Sequence, residues 1–125
     1  MKYEVVIPDN VSPYPNKYEI RTATILARHF KSNIRFIRRE SNRNTPDIDV
    51  NGIKWEIKNP EGKSKTTIAN QFKRAKKQSE NLCLDLYRIK LNEARAINHA
   101  KAQFFGQKKF KRLLIVQKSH DILDF

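Results

Sequence analysis

The stretch TPDIDVNGIKWEIKNP, from Thr45 to Pro60, decides the fold because it specifies a β-hairpin. Asn-Gly is the dipeptide that two-residue hairpin turns favour, since both turn residues adopt positive φ angles. A turn at Asn51-Gly52 pairs each residue on one strand with the residue at the same distance from the turn on the other. The hairpin therefore has one predicted register, and the partner and face of each side chain follow from it.

The two faces of this predicted hairpin differ in chemistry, because side chains alternate between the faces of a strand. One face carries the apolar residues Ile48, Val50, Ile53, Trp55 and Ile57. The other carries Asp47, Asp49, Lys54, Glu56 and Lys58. Asp47 lies opposite Glu56, so two like charges are expected at a Cβ separation of about 4.5–5.5 Å. This face is either a solvated, salt-bridged surface or a site where a divalent cation compensates the carboxylates.

Hydrophobic periodicity predicts the remaining elements. The residues expected in helices are 17–30 with Asn16 as N-cap, 66–81 and 91–105; those expected in strands are 33–39, 82–88 and 112–118, with an edge strand at DILDF and a short strand at the N-terminus. Glu19 shares a helical stripe with Ala23, Leu26 and Phe30, so its carboxylate is expected to face inward. The order predicts an α/β fold with a mixed central β-sheet and flanking helices on both faces, forming a single domain over residues 1–125 with its core at about 17–118.

The charge balance predicts a polyanionic partner. The chain has 26 Lys and Arg against 13 Asp and Glu, a formal net charge of +13, and such an excess is typical of nucleic-acid-binding proteins. The residues expected to contact nucleic acid are Lys63, Lys65, Lys73, Arg74, Lys77, Arg38 and Arg39, with Arg43 in the same basic cluster. A single cysteine, Cys83, excludes an internal disulfide. No signal peptide or membrane-spanning run is evident, so we expect a cytoplasmic site of action and no membrane partner.

The pattern Pro46-Asp47 followed by Glu56-Ile57-Lys58, within the order α-β-β-β-α-β, resembles the PD-(D/E)XK nuclease superfamily. The sequence from Thr45 through LCLDL is also similar to C-terminal tRNA nuclease toxin domains of the contact-dependent inhibition protein CdiA. The resemblance implies a restriction-endonuclease-like core and a metal-dependent endonuclease, with tRNA favoured over DNA as substrate. It further implies an acidic immunity protein as partner.

The resemblance also implies roles for individual residues. Asp47, Glu56 and the backbone carbonyl of Ile57 would hold a divalent metal ion, with Mg²⁺ favoured and Mn²⁺ or Zn²⁺ as alternatives. Lys58 would orient or deprotonate a water and stabilise developing charge. Glu19 would act as a metal ligand, directly or through water. The remaining predicted catalytic residue is Gln71, which would hold a phosphate oxygen or the attacking water.

Three alternatives remain open at the level of sequence. One is a DNase of the same fold. Another is a metal-independent ribonuclease of the barnase–EndoU–colicin–RelE type, which would use Glu56, Lys58, Thr67 and His120. The third is a nucleic-acid-binding module without enzymatic activity.

Overall fold

The computed structural model describes residues 2–39 and 45–125. Within these residues, the helices and strands in chain order are β1 (Val5–Val6), α1 (Lys17–Phe30), β2 (Ile34–Phe36), β3 (Ile48–Val50), β4 (Ile53–Lys58), α2 (Thr67–Ala75), β5 (Asn81–Asp85), α3 (Glu93–Gly106), β6 (Arg112–Val116) and β7 (Ile122–Asp124). The predicted α/β class is confirmed. None of the helices in this described part combines the length and the apolar composition that a membrane span requires.

The seven strands form one mixed sheet in which the spatial order equals the chain order, β1 to β7. β1, β2, β4, β5 and β6 run in one direction, and β3 and β7 run in the other. The carboxyl ends of the five parallel strands therefore lie along one edge, which we call the carboxyl edge. Ligands of open α/β sheets commonly bind at such an edge.

The helices cover both faces of the sheet, as the sequence predicts. α1 packs on one face, over a core that includes Trp55, Ile57 and Cys83. α2 and α3 pack on the opposite face, over a second core that includes Phe72 and Leu84. Full burial of one large apolar side chain contributes roughly 1.5–3 kcal/mol to stability, so these two cores hold the sheet that carries the polar groups described below.

The hairpin has the predicted register. Ile48 pairs with Trp55, Asp49 with Lys54 and Val50 with Ile53. The turn residues have the expected positive φ angles, 53° at Asn51 and 87° at Gly52. The carboxylate of Asp49 accepts a hydrogen bond of 2.8 Å from the backbone N–H of Gly52. Asp49, which the sequence places on the same face as Asp47 and Glu56, thus helps to close the turn.

The second predicted helix is too long at its C-terminus: the structure ends α2 at Ala75 instead of continuing to residue 81. The reason is tertiary, because the hydroxyl of Ser79 donates to the carbonyl of Lys54 at 2.9 Å and draws the chain toward β4. The following strand ends at Asp85, not at residue 88, because the Asp85 carboxylate accepts from the Tyr87 N–H at 3.0 Å and turns the chain.

Two further predictions need smaller corrections, and one segment is not described. β2 and β6 are shorter than predicted, and α3 begins at Glu93 with Asn92 as its cap, two residues later than expected. Residues 40–44, which include Arg43 of the predicted basic cluster, lie outside the described residues.

Candidate active site

Three side chains meet at the open end of the hairpin, away from its turn: Asp47, Glu56 and Lys58. We call them the carboxylate–lysine cluster. Asp47 is nearly buried, and Glu56 is only 2% exposed. One carboxylate oxygen of Asp47, Oδ2, accepts from the Ile57 N–H at 2.8 Å, which fixes the side chain against β4. Lys58 Nζ lies 3.0 Å from Glu56 Oε2. The other carboxylate oxygen, Glu56 Oε1, is buried and has no hydrogen-bond partner among the described residues.

The environment of Glu56 disfavours its charged form. Burial, followed by the charge of Asp47, raises the pKa of Glu56 from 4.5 to about 8, and Lys58 offsets only part of this. Without a cation, the cluster therefore carries fewer negative charges near neutral pH than its composition indicates.

Glu19 lies near this cluster but is not part of a three-carboxylate group. Its Oε1 accepts from the Asn16 backbone N–H at 3.0 Å in a capping box at the start of α1. Glu19, Arg39 and Asp47 line a small cavity of about 30 Å³, which is room for a water or one ion. Among residues 2–39 and 45–125, no three His, Cys, Asp or Glu side chains gather closely enough to hold a metal ion. The role of Glu19 stays a prediction.

An amide that the sequence did not single out contacts the predicted catalytic lysine. Lys58 Nζ donates to Gln78 Oε1 at 3.2 Å. Gln78 follows α2 in a turn, whereas the sequence predicted that it lies inside a longer helix. The predicted residue Gln71 lies half-buried on α2, and its role stays a prediction.

A second buried acid at the carboxyl edge also escaped the sequence analysis. Asp85 is 0% exposed, and its Oδ2 accepts from Thr22 Oγ1 at 2.6 Å and from Arg21 Nη1 at 3.2 Å. Asn59 donates to the Thr22 hydroxyl at 2.9 Å. We call Arg21, Thr22, Asn59 and Asp85 the Asp85 network. Its only signal in the sequence is one acid inside the apolar run LCLDL.

The cationic residues predicted to contact nucleic acid are all exposed: Arg38, Arg39, Lys63, Lys65, Lys73, Arg74 and Lys77. Arg39 also approaches the cluster, with Nη2 3.9 Å from Asp47 Oδ1.

His120, which the metal-independent alternative would use, instead contacts Arg21 of α1 at 2.7 Å. Trp55 and Ile57 pack under α1. Because side chains alternate along a strand, Glu56 and Lys58 lie on the other face of β4.

Fold and site together define a basic α/β domain with a buried carboxylate–lysine cluster at the carboxyl edge of its sheet. The sequence matches the family model "Contact-dependent growth inhibition CdiA C-terminal domain" over residues 43–122. The chain therefore belongs to this family, which confirms the resemblance to CdiA domains. The matched residues include Asp47, Glu56 and Lys58, and they begin after α1.

A solved structure supports the fold over nearly all of the chain. It is described as a "CdiA-CT/CdiI toxin and immunity complex from Burkholderia pseudomallei", and it matches with a TM-score of 0.68 at 17% sequence identity, covering 98% of each chain. A comparison with curated proteins finds no match.

Proposed function

We propose that the chain is a CdiA-type toxin domain that hydrolyses phosphodiester bonds as an endonuclease, with tRNA as its substrate, in the cytoplasm of the cell it inhibits. The observation that carries the proposal is the buried pair of Asp47 and Glu56 with Lys58 at 3.0 Å from Glu56. Membership of the growth-inhibition family supports a toxic activity. The net charge of +13 supports a polyanionic substrate.

The donor set fits a divalent cation, with Mg²⁺ favoured over Mn²⁺ and Zn²⁺. Hard oxygens of Asp47 and Glu56 are the ligands that Mg²⁺ prefers, and the buried Glu56 Oε1 has no partner among the described residues. Ile57, whose carbonyl is the third candidate ligand, is tied to the site because its N–H donates to Asp47. When bound, the ion supplies Lewis-acid activation of the phosphate and of a water. This arrangement is the one expected of a PD-(D/E)XK nuclease.

The protein groups around this position have distinct tasks in the proposed reaction. Lys58 donates to a phosphate oxygen and stabilises the negative charge that develops as water attacks phosphorus. Its contacts with Glu56 and Gln78 hold the ammonium group in place. Glu19 orders a water in the cavity that it shares with Asp47, and Gln71 contacts the substrate phosphate.

The partners follow from charge. The seven exposed cationic residues bind the phosphate backbone without reading sequence, so binding weakens as salt rises. A protein that neutralises this toxin in the cell that makes it is proposed to be acidic, because it must cover a strongly basic surface. The matched structure is itself described as a toxin and immunity complex.

Incubation of the protein with total tRNA and with plasmid DNA, each with Mg²⁺ and with EDTA, tests the proposal. We expect cleavage of tRNA in Mg²⁺, none in EDTA, and products with 5′-phosphate and 3′-hydroxyl ends. Cleavage of plasmid alone would favour the DNase. Cleavage in EDTA that leaves 2′,3′-cyclic phosphate ends would favour the metal-independent ribonuclease. Binding without cleavage in Mg²⁺, Mn²⁺ and Zn²⁺ would favour a non-enzymatic module.

A further inference from the structure

A cavity of about 340 Å³ lies between α1 and β7, outside the carboxylate–lysine cluster, and is lined by Ile25, Arg28, His29, His120, Asp121 and Ile122. We call it the α1–β7 pocket. Two of its residues are branched aliphatic, and the other four are charged or imidazole side chains. The lining is therefore mostly polar with a small apolar wall, and the volume lies within the range of small-ligand pockets.

One imidazole of this pocket is held in a defined state. Arg21 Nη2 lies 2.7 Å from His120 Nε2. A guanidinium group can only donate hydrogen bonds, so Nε2 of His120 accepts, and its proton is on Nδ1. Arg21 is itself fixed, since its Nη1 bonds Asp85 at 3.2 Å and its guanidinium stacks on the Tyr87 ring at 3.7 Å. His120 is therefore a pre-oriented hydrogen-bond donor in the wall of the pocket.

The Asp85 network connects this pocket to the proposed site. Asn59, which directly follows Lys58, bonds Thr22 at 2.9 Å, and Thr22 shares the Asp85 carboxylate with Arg21. The connection runs along the carboxyl edge from the end of β4 to the turn after β6. Neighbouring strands are about 4.8 Å apart, so His120, at the near end of the pocket, lies roughly 10–15 Å across the strands from the end of β4. Arg28 lies about two helical turns, roughly 10 Å, further along α1 than Arg21, so a segment of a few nucleotides is needed to reach both the pocket and Lys58.

We propose that the α1–β7 pocket binds one nucleotide of the substrate, a short distance along the strand from the bond that is cleaved. Ile25 and Ile122 contact the face of an unpaired base, and His120 Nδ1 and the Asp121 carboxylate offer a donor and an acceptor to the edge of that base. Arg28 binds the phosphate. The inference rests on the proposed nuclease function for the identity of the polymer, and it makes the pocket a determinant of which nucleotide lies a few positions from the cleaved bond.

Titration of the 125-residue chain in EDTA with each of the four ribonucleoside 5′-monophosphates, and separately with inorganic phosphate, tests the proposal. The binding isotherm gives affinity, and the imidazole NMR signals of His120 and His29 report the place of binding. Arg28→Gln removes the proposed phosphate contact, and the matched control is Arg95→Gln, which removes an exposed arginine from α3 on the other face of the sheet.

We expect at least one monophosphate to bind more tightly than inorganic phosphate and to shift the His120 signals. R28Q is expected to weaken that binding about tenfold, the loss of one charge-assisted hydrogen bond, while R95Q leaves it unchanged. Equal affinity for monophosphates and inorganic phosphate, equal losses in R28Q and R95Q, or unmoved His120 signals would overturn the proposal. None of those results would count against cleavage of tRNA through Glu56. Conversely, nucleotide binding by a protein that cleaves no nucleic acid would refute the proposed nuclease function and leave the proposed pocket intact.

Discussion

Two buried acids at the carboxyl edge, Glu56 and Asp85, have opposite surroundings. Asp85 accepts hydrogen bonds from Thr22 and Arg21 and from the backbone of Tyr87. Glu56 is as deeply buried, yet one of its oxygens lacks a partner among the described residues and a second carboxylate lies beside it. Burial of a charge is costly unless the charge is paired and hydrogen-bonded. Asp85 meets this condition, whereas Glu56 meets it at only one oxygen, through Lys58.

The difference separates a structural acid from a candidate catalytic one. The Asp85 network joins α1 to β5 and to the end of β4, so it stabilises the packing of these three elements at the carboxyl edge. The carboxylate–lysine cluster costs stability in the absence of a cation, as groups arranged for chemistry often do. The predictions below test this division.

The largest expected effect is on catalysis. Glu56→Gln and Lys58→Met each remove a group that is proposed to contact the metal or the phosphate, so tRNA cleavage in Mg²⁺ should fall by about 10²–10³. Rates of product formation on gels measure this. The control is Glu80→Gln, which removes an acid from an exposed ion pair with Lys111 and should cleave as wild type. Retention of wild-type rates by E56Q and K58M would refute the site.

The next effect is a pH dependence of stability in EDTA. The pKa of Glu56 is about 8 in the folded chain against an ordinary value of 4.5, so above pH 4.5 the unfolded chain loses this proton first. The stabilising contribution of neutral Glu56 is complete below pH 4.5 and is lost as pH rises to about 8, at about 1.4 kcal/mol per pH unit. Urea denaturation at several pH values should show this slope in wild type relative to E56Q, and parallel curves for the two proteins would contradict it.

Removal of the satisfied acid should act on stability at neutral pH. Asp85→Ala removes the acceptor of the Tyr87 N–H and of Arg21 Nη1 and leaves the Thr22 hydroxyl only the Tyr18 carbonyl. We expect the free energy of unfolding to fall by about 2–4 kcal/mol. Asp124→Ala, at an exposed pair with Arg112, should cost no more than about 1 kcal/mol. Similar losses for the two variants, measured by urea denaturation at pH 7, would show that the Asp85 network is not a stabilising element.

The smallest effect concerns the positioning of Lys58. Gln78→Ala removes the 3.2 Å hydrogen bond to Nζ but leaves the contact with Glu56, so cleavage should fall only about threefold to tenfold. KM is expected to change less than kcat, because the ammonium group acts on developing charge. Gln107→Ala, which removes a bond to Gln103 on α3, is the control, and an equal decrease in both variants would remove Gln78 from the site.

Local signals in the sequence predicted the hairpin and its carboxylate pair, and distant contacts explain what they did not predict. Asn51-Gly52 sets the register by itself, so Asp47 and Glu56 could be placed together without a structure. The bond between Arg21 and Asp85 joins residues 64 positions apart, and no periodicity encodes it. Gln78 was missed for a related reason. The sequence beyond Ala75 keeps a helical composition, so the end of α2 depends on the bond between Ser79 and the Lys54 carbonyl of β4.

The most direct test of the central claim compares the free energies of unfolding of wild type and E56Q at pH 8, in EDTA and then in Mg²⁺. If the carboxylate pair is a cation site, E56Q is more stable than wild type in EDTA, and Mg²⁺ stabilises wild type but not E56Q. If E56Q is the less stable protein in EDTA, or if Mg²⁺ stabilises both proteins equally, the pair is a structural feature and not a metal-dependent active site.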